Sequence, residues 1–147
     1  MQPDFNPLCL KYQLCFPLYA CSREIIKQYR PHLEELDLTY TQYITMMVVW
    51  ERQEISVRDL GKELYLDSGT LTPVLKSLEQ KGFISRSRSE QDERLLIVKV
   101  TPSGMELRKR AESVPLKMAG CMNLTPEEAG ELYRLLYKVL GKENADE

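Results

Sequence analysis

Hydrophobic and polar positions alternate along this chain mostly at helical spacing. From Leu8 to about Tyr29, apolar residues recur every three or four positions, which predicts an amphipathic helix with Pro17 inside it. Pro31 is expected to limit the end of that helix. The nearly continuous apolar segment 43–50, which follows the polar residues 39–42, predicts a second, buried helix.

Residues 56–82 predict two short helices joined by a tight polar turn. Ser56 is expected to cap a helix that ends near Tyr65, and Asp67 with Ser68 to cap the next one. Gly82 follows the end of the second helix. Two such helices form a helix-turn-helix. The buried face of the second helix follows the i, i+3, i+4, i+7 pattern at Leu71, Val74, Leu75 and Leu78.

A hairpin is predicted after this pair, from strands at 83–88 and 95–100 and a polar loop at 89–93. A hairpin in this position makes a winged helix. Thr101-Pro102 then opens a further helix, which Pro115 bends or interrupts. Residues 125–128 form a predicted capping box for a last helix, and a frayed tail is expected from Lys142.

The predicted fold class is therefore mainly α with a small β-hairpin wing, as one domain spanning residues 1–147. The winged helix-turn-helix occupies about 53–101, and helices at about 8–50 and 102–141 flank it.

Charge is unevenly distributed along the chain. Residues 76–110 carry nine basic and five acidic side chains, whereas 1–75 carry seven and ten, and 122–147 carry three and six. A basic segment between acidic flanks suits a surface that meets a polyanion, although a solvated charge run gives the same pattern.

The N-terminus has no basic segment followed by an apolar one, and the longest apolar run, 46–50, is too short to span a membrane. We therefore expect a cytoplasmic protein without membrane contact. In a reducing compartment its four cysteines are buried thiols, reactive thiols or metal ligands rather than a disulfide framework. One histidine and the absence of a Cys-x-x-Cys pair disfavour a metal site, and no cofactor is expected.

The stretch "LYLDSGTLTPVLKSLEQKGFISRSRSEQDERLLIVKVTPSG" resembles the recognition helix and wing of the MarR family of winged-helix transcription regulators, including its Asp-x-Arg signature at Asp92 and Arg94. Within that family, "LCFPLYACSREI" and "YRPHLEELDLTYTQY" are most similar to the organic-hydroperoxide-sensing repressors, the OhrR group. The resemblance implies a homodimer joined by its terminal helices, bound to palindromic operator DNA and released by organic hydroperoxide. It also implies a reactive thiol at Cys15 surrounded by Tyr19, Tyr29 and Tyr40, some of them from the partner subunit.

The chemistry of thiols agrees with that implication. Peroxide attacks the thiolate, and an ordinary thiol is only about 3% ionised at pH 7, so hydrogen bonds from tyrosine hydroxyls would favour the reactive form. Tyr19 lies one helical turn from Cys15. Tyr29 lies about 21 Å from Cys15 along the axis of the same helix. It could therefore reach this thiol only from a partner subunit.

A sulfenic acid formed on Cys15 needs a second thiol. On a continuous helix Cys9 and Cys21 lie six positions away, beyond disulfide reach, and apolar packing is their expected role. Cys121 of the partner is a candidate resolving thiol by the resemblance, and a low-molecular-weight thiol is the alternative. Pro17 leaves two geometries open: a helix kinked beside Cys15, or one that starts near Pro17 with Cys15 just outside its positive end.

Exposed positions on the second helix of the pair are expected in the major groove: Ser68, Thr70, Thr72, Pro73 and Lys76. Arg94 is expected in the minor groove with Asp92 holding it, and Arg86 and Arg88 on the DNA backbone. The alternatives are a MarR-type global regulator that answers to another oxidant or electrophile, a thiol peroxidase, and an interaction module that binds no DNA.

Overall fold

The computed structural model describes residues 6–142. In this part of the chain it contains seven α-helices, one 3₁₀ helix and a three-stranded antiparallel sheet, so the predicted mainly helical winged-helix class is confirmed. The chain divides after Lys117 into two compact units.

Helix α1 spans Cys15–Glu34, and a separate 3₁₀ helix at Leu10–Tyr12 precedes it. The prediction of one helix from Leu8 was wrong, because the extended backbone at Gln13 separates the two elements. Pro17 is the third residue of α1, where a backbone N–H would have no helical partner, so the proline costs no hydrogen bond and the helix starts beside it. Pro31 does not end α1, which continues for three further residues.

Helix α2 spans Tyr40–Arg52 and buries one face, which includes Tyr43, Met46, Val49 and Trp50 of the apolar segment. Thr39 caps it: the Thr39 hydroxyl accepts from the backbone N–H of Gln42, and the Gln42 side chain accepts from the backbone N–H of Thr39. This reciprocal pair fixes where the helix begins.

The helix-turn-helix is confirmed, with α3 at Val57–Leu64 and α4 at Ser68–Gln80. Tyr65 adopts the left-handed conformation that ends α3, with φ of 56°. Gly61 allows the turn to close, because a Cβ added there would lie 2.8 Å from the carbonyl oxygen of Leu66. Gly82, with φ of +82°, ends α4 as predicted.

The sheet contains β1 (Glu54–Ser56), β2 (Ile84–Arg88) and β3 (Leu96–Val100) in the order β1-β3-β2. The wing hairpin pairs β2 with β3, as expected, with Arg86 opposite Val98. Strand β1 was not predicted, since three residues carry too little pattern to be recognised. It joins the wing to the start of α3 through pairing with β3.

Helix α5 (Pro102–Ala111) begins at the Thr101 cap, and α6 (Ser113–Lys117) follows after a break at Glu112, so Pro115 interrupts the helical segment as expected. The core of the first unit is apolar and includes Leu33, Tyr43, Met46, Val49, Leu60, Leu71, Leu75, Leu78, Ile84, Val98 and Leu107.

In the second unit, α7 spans Pro126–Val139. The Thr125 hydroxyl accepts from the backbone N–H of Glu128, which is the hydroxyl half of the predicted capping box. Helix α7 buries none of its residues, and its apolar face is exposed. The predicted tail beyond Lys142 lies outside the described residues.

Candidate functional site

Cys15 is the first residue of α1 and is exposed to solvent. At this position it lies beside the unpaired N–H groups of the first turn, where the helix dipole stabilises negative charge. Of the two geometries that Pro17 left open, the structure has the helix that starts beside it, with Cys15 inside the first turn rather than just outside it. A thiol here is open to a small oxidant.

Tyr19 follows Cys15 by one turn of α1, and its side chain is exposed. Its hydroxyl oxygen accepts a hydrogen bond of 3.1 Å from Nη1 of Arg23, one further turn along. The Arg23 guanidinium also lies over the Tyr19 ring, 5.4 Å from its centroid. The three side chains follow each other along one side of the helix.

Three other tyrosines form a cluster between α1 and α2. The ring centroid of Tyr29 lies 5.1 Å from that of Tyr40 and 5.8 Å from that of Tyr43. Burial raises the pKa of the Tyr40 hydroxyl, and burial with the neighbouring Tyr29 and Tyr40 raises that of Tyr43. These two hydroxyls therefore stay protonated at neutral pH and keep a proton to donate.

The tyrosine cluster does not reach the thiol of its own chain. Cys15 and Tyr29 lie on the same continuous helix, about 21 Å apart along its axis. Tyr29 and Tyr40 meet each other as the resemblance implies, whereas Tyr43 joins them unpredicted. Its spacing of three from Tyr40 on a helix was the available signal.

The other three cysteines differ in their exposure and in their position relative to Cys15. Cys21 is exposed on α1, so apolar packing within its own subunit was the wrong interpretation. Cys9 precedes α1 and is half-buried, so the helical spacing that placed it out of disulfide reach of Cys15 does not apply. Cys121 is half-buried in the turn before α7. Cys21 remains out of reach, since it shares α1 with Cys15.

The N-terminal half of α4 presents its polar residues to solvent. Ser68, Thr70, Pro73 and Lys76 are exposed, while Thr72 is half-buried. The Thr72 hydroxyl donates to the Ser68 carbonyl at 2.6 Å, which leaves it acceptor capacity and a methyl group for an outside partner.

Asp67 caps α4. Its carboxylate accepts from the backbone N–H of Thr70 at 2.7 Å, and hydrogen bonds from Thr70 hold the pKa of this carboxyl below its usual range. The charged cap therefore persists at neutral pH and stabilises the end of the helix that faces outward.

The wing tip is organised by Asp92 and Arg94. Asp92 Oδ1 accepts from Nε of Arg94 at 3.0 Å and from its backbone N–H at 3.1 Å, and these bonds lower the pKa of the Asp92 carboxyl. The Arg94 side chain is otherwise exposed, at 90% of its surface. Asp92 thus holds an exposed guanidinium at the tip of the hairpin.

Arg86 and Arg88 differ in their surroundings. Arg86 bonds to Glu79 of α4 through its guanidinium and its backbone N–H, and only 18% of its side chain is exposed. Its hydrogen bonds lower the pKa of the Glu79 carboxyl. Arg88, at the end of β2, is exposed. Arg86 therefore fixes the wing to α4, and Arg88 is open to a partner.

A groove of about 950 Å³ lies between α3, the start of α4 and the wing. Two cations of α3, Arg58 and Lys62, line it one helical turn apart, and Arg94 lines it from the wing. The positive charge of Arg58 also contributes to lowering the pKa of Asp92. The groove combines cations from two elements beside the exposed end of α4.

Comparison with known proteins agrees with this geometry. The family model described as transcriptional regulator SarA/Rot matches residues 27–110. An organic hydroperoxide resistance transcriptional regulator of Bacillus subtilis is 44% identical over 140 residues, which is 95% of each chain. This chain belongs to the MarR-type transcriptional regulators.

Other members of the family are also similar. The regulator SarZ of Staphylococcus aureus is 39% identical over 133 residues, 90% of each chain. The structure of reduced AbfR bound to DNA, a protein of Staphylococcus epidermidis, is 34% identical with a TM-score of 0.74, covering 90% of this chain and 92% of that one. These relatives are transcriptional regulators and not enzymes, so the thiol peroxidase alternative is set aside.

The sequence pattern of this MarR-type regulator did not point to Arg58 and Lys62 as candidate site residues. Their spacing of four on α3 was visible in the sequence, but the groove that they line forms only when the wing is folded.

In the described part of the chain no group of three His, Cys, Asp or Glu side chains could hold a metal ion, and no helix there could span a membrane.

Proposed function

We propose that this regulator is a homodimeric repressor that binds palindromic operator DNA when reduced and releases it when organic hydroperoxide oxidises Cys15. One observation carries the proposal: a chain 44% identical to an organic hydroperoxide resistance regulator exposes Cys15 on the first turn of α1. Residues 1–147 act as a single domain in this proposal, and the protein works in the cytoplasm beside the chromosome.

The exposed end of α4 enters the major groove, and the wing enters the minor groove. Arg94, held by Asp92, is the minor-groove residue, and Arg88 contacts the backbone. Arg86 supports these contacts indirectly, because Glu79 already occupies its guanidinium. The residues of α4 that face DNA are Ser68, Thr70, Thr72, Pro73 and Lys76.

The groove beside α3 adds phosphate contacts. A DNA strand that separates the major groove at α4 from the minor groove at the wing has to pass between these two elements. Arg58 and Lys62 line that space and carry the charge that phosphates require.

A dimer is supported by apolar surface at both ends of the chain. Leu8 is 90% exposed and Leu14 77%, and on α7 Val139 is 73% exposed. Contiguous exposed apolar surface of this kind is typical of a protein–protein interface. The second argument is the distance of about 21 Å between Cys15 and Tyr29 along α1. Because Tyr29 and Tyr40 of the same chain lie too far away, the tyrosines that meet this thiol come from the partner subunit.

The chemistry begins with the Cys15 thiolate. Its sulfur attacks one oxygen of the hydroperoxide, an S–O bond forms, the O–O bond breaks, and the alkoxide takes up a proton to leave as alcohol. The resulting sulfenic acid condenses with a second thiol and releases water. Cys121 of the partner subunit or a low-molecular-weight thiol supplies that sulfur, and the new disulfide changes the spacing of the two wings.

A second function of the same class is a global regulator that responds to another oxidant or to an electrophile. SarZ, an HTH-type transcriptional regulator, is 39% identical over 90% of the chain, and the exposed Cys15 thiol is open to other small thiol-reactive reagents. Release of DNA by an alkylating electrophile, with no release by hydroperoxide, would select this alternative.

The test is operator binding before and after stoichiometric cumene hydroperoxide, in wild type, Cys15→Ser and Cys21→Ser. Cys21 is the matched control, because it is an exposed thiol on the same helix. We expect wild type and Cys21→Ser to release DNA and Cys15→Ser to stay bound. An oxidised wild type that stays bound contradicts the sensor, and a reduced protein that binds no operator contradicts the repressor.

A further inference from the structure

Arg23 makes two contacts with Tyr19 and none with a carboxylate among the described residues. Its Nη1 donates to the Tyr19 hydroxyl oxygen at 3.1 Å, and its guanidinium carbon lies 5.4 Å from the centre of the Tyr19 ring. An exposed arginine on a helix commonly pairs with an acidic side chain one turn away, but Lys27 occupies the following turn here. Arg23 is therefore directed toward Tyr19.

The direction of this hydrogen bond determines what the Tyr19 hydroxyl can do. A guanidinium has donors and no acceptor, so the phenol oxygen is the acceptor and its own proton points away from Arg23. Helical side chains lean toward the N-terminus, over the preceding turn. For Tyr19 that turn contains Cys15, and the hydroxyl proton that Arg23 leaves unused is available to a thiolate there.

We infer that Arg23 is a positioning residue for the sensor, which fixes the Tyr19 hydroxyl as a hydrogen-bond donor to the Cys15 thiolate. The inference rests on the proposed function of Cys15. A cation bonded to the phenol oxygen also polarises its O–H bond and strengthens the donated bond. The electron pair that attacks the hydroperoxide still comes from the Cys15 sulfur, and Arg23 takes no proton.

The experiment is a double-mutant cycle on the oxidation rate of Cys15. The reduced dimer is treated with cumene hydroperoxide, and oxidation is followed by mass spectrometry of the Cys15 peptide in wild type, Arg23→Gln, Tyr19→Phe and the double variant. Lys27→Gln is the control, because it removes the same charge one turn beyond Arg23, about 12 Å along the axis from Tyr19. All of the substituted side chains are exposed, so each variant is expected to fold. Circular dichroism checks this.

Arg23→Gln and Tyr19→Phe are each expected to slow oxidation about three- to tenfold, the effect of losing one hydrogen bond of ordinary net strength. The double variant should be no slower than Tyr19→Phe, Arg23→Lys should recover part of the rate, and Lys27→Gln should equal wild type. A wild-type oxidation rate in Arg23→Gln overturns the inference and leaves the proposed function intact. The same holds if Arg23→Gln slows oxidation in the Tyr19→Phe background as much as it does in wild type. Failure of wild-type Cys15 to react faster than Cys21 overturns the proposed function and the inference with it.

Discussion

Gln42 of α2 donates a hydrogen bond from Nε2 to Ser77 Oγ of the recognition helix α4, at 3.0 Å. Its Oε1 accepts from the backbone N–H of Thr39 at 3.0 Å and from Lys81 Nζ at 3.2 Å. Gln42 is only 6% exposed, and it lies in the same first turn of α2 as Tyr40. The turn of α2 that carries Tyr40 is thereby joined to α4, the helix that we propose to meet DNA.

Gln42→Ala is expected to destabilise the protein by about 1–3 kcal/mol, because it leaves buried hydrogen-bonding partners unsatisfied. The free energy of unfolding in urea measures the loss. Gln91→Ala, on the exposed wing loop, is the control and should change it little. A Gln42→Ala protein as stable as wild type would show that water replaces these bonds.

The groove beside α3 is tested by the salt dependence of operator binding. Three variants should each weaken operator binding: Arg58→Gln, Lys62→Gln and Arg94→Ala. Each should also lower the slope of log affinity against log salt by about one unit, because each removes one cation that lies near the DNA phosphates in the proposed complex. Lys109→Gln on α5 is the control, since Lys109 pairs with Glu106 outside the groove. An unchanged slope for a variant removes that residue from the DNA interface.

Cys121 as the resolving thiol is tested on non-reducing gels after stoichiometric organic hydroperoxide. Wild type is expected to give a covalent dimer, because a disulfide between Cys15 and the partner's Cys121 links the two chains. Cys121→Ser should abolish this band, and Cys21→Ser should keep it. A monomer band alone, with added mass from a small thiol, would assign the second step to that thiol instead.

Acid conditions should weaken the cap of α4. The folded-state pKa of Asp67 is below its usual value of 3.8, so its stabilising contribution is present above that value and is lost as the pH falls toward the folded pKa. Asp67→Asn keeps a capping side chain without the charge. We expect wild type to be more stable than Asp67→Asn in urea at neutral pH and the difference to shrink below pH 3.8. A difference that stays constant over this pH range would contradict this.

The apolar face of α7 is tested by Leu136→Glu. Leu136 is 37% exposed in the single chain, and a charge there should oppose burial against a second copy. Light scattering should show a monomer, and operator affinity should fall at least about tenfold, because one subunit holds one half-site. Lys138→Glu on the same helix is the control. A Leu136→Glu protein that remains dimeric would place the interface elsewhere.

Local pattern determined most of the secondary structure. The caps at Ser56, Asp67 and Thr101 and the closing Gly82 were predicted from the sequence, because a helix end is set by residues within one turn of it. The pairing of Asp92 with Arg94 was predictable for the same reason, since only Glu93 separates them. Pro17 and Pro31 were harder to interpret, because the effect of a proline depends on its distance from the helix end.

The tertiary structure decided what meets across elements. Strand β1 exists only because β3 lies beside it, Arg86 of the wing bonds to Glu79 of α4, and the packing of α1 on α2 brings Tyr43 to Tyr29. Arg58 and Lys62 became part of a groove only when the wing folded next to them. Sequence spacing determines which residues share a face of one helix, whereas contacts between elements depend on how those faces pack, and no local period encodes that packing.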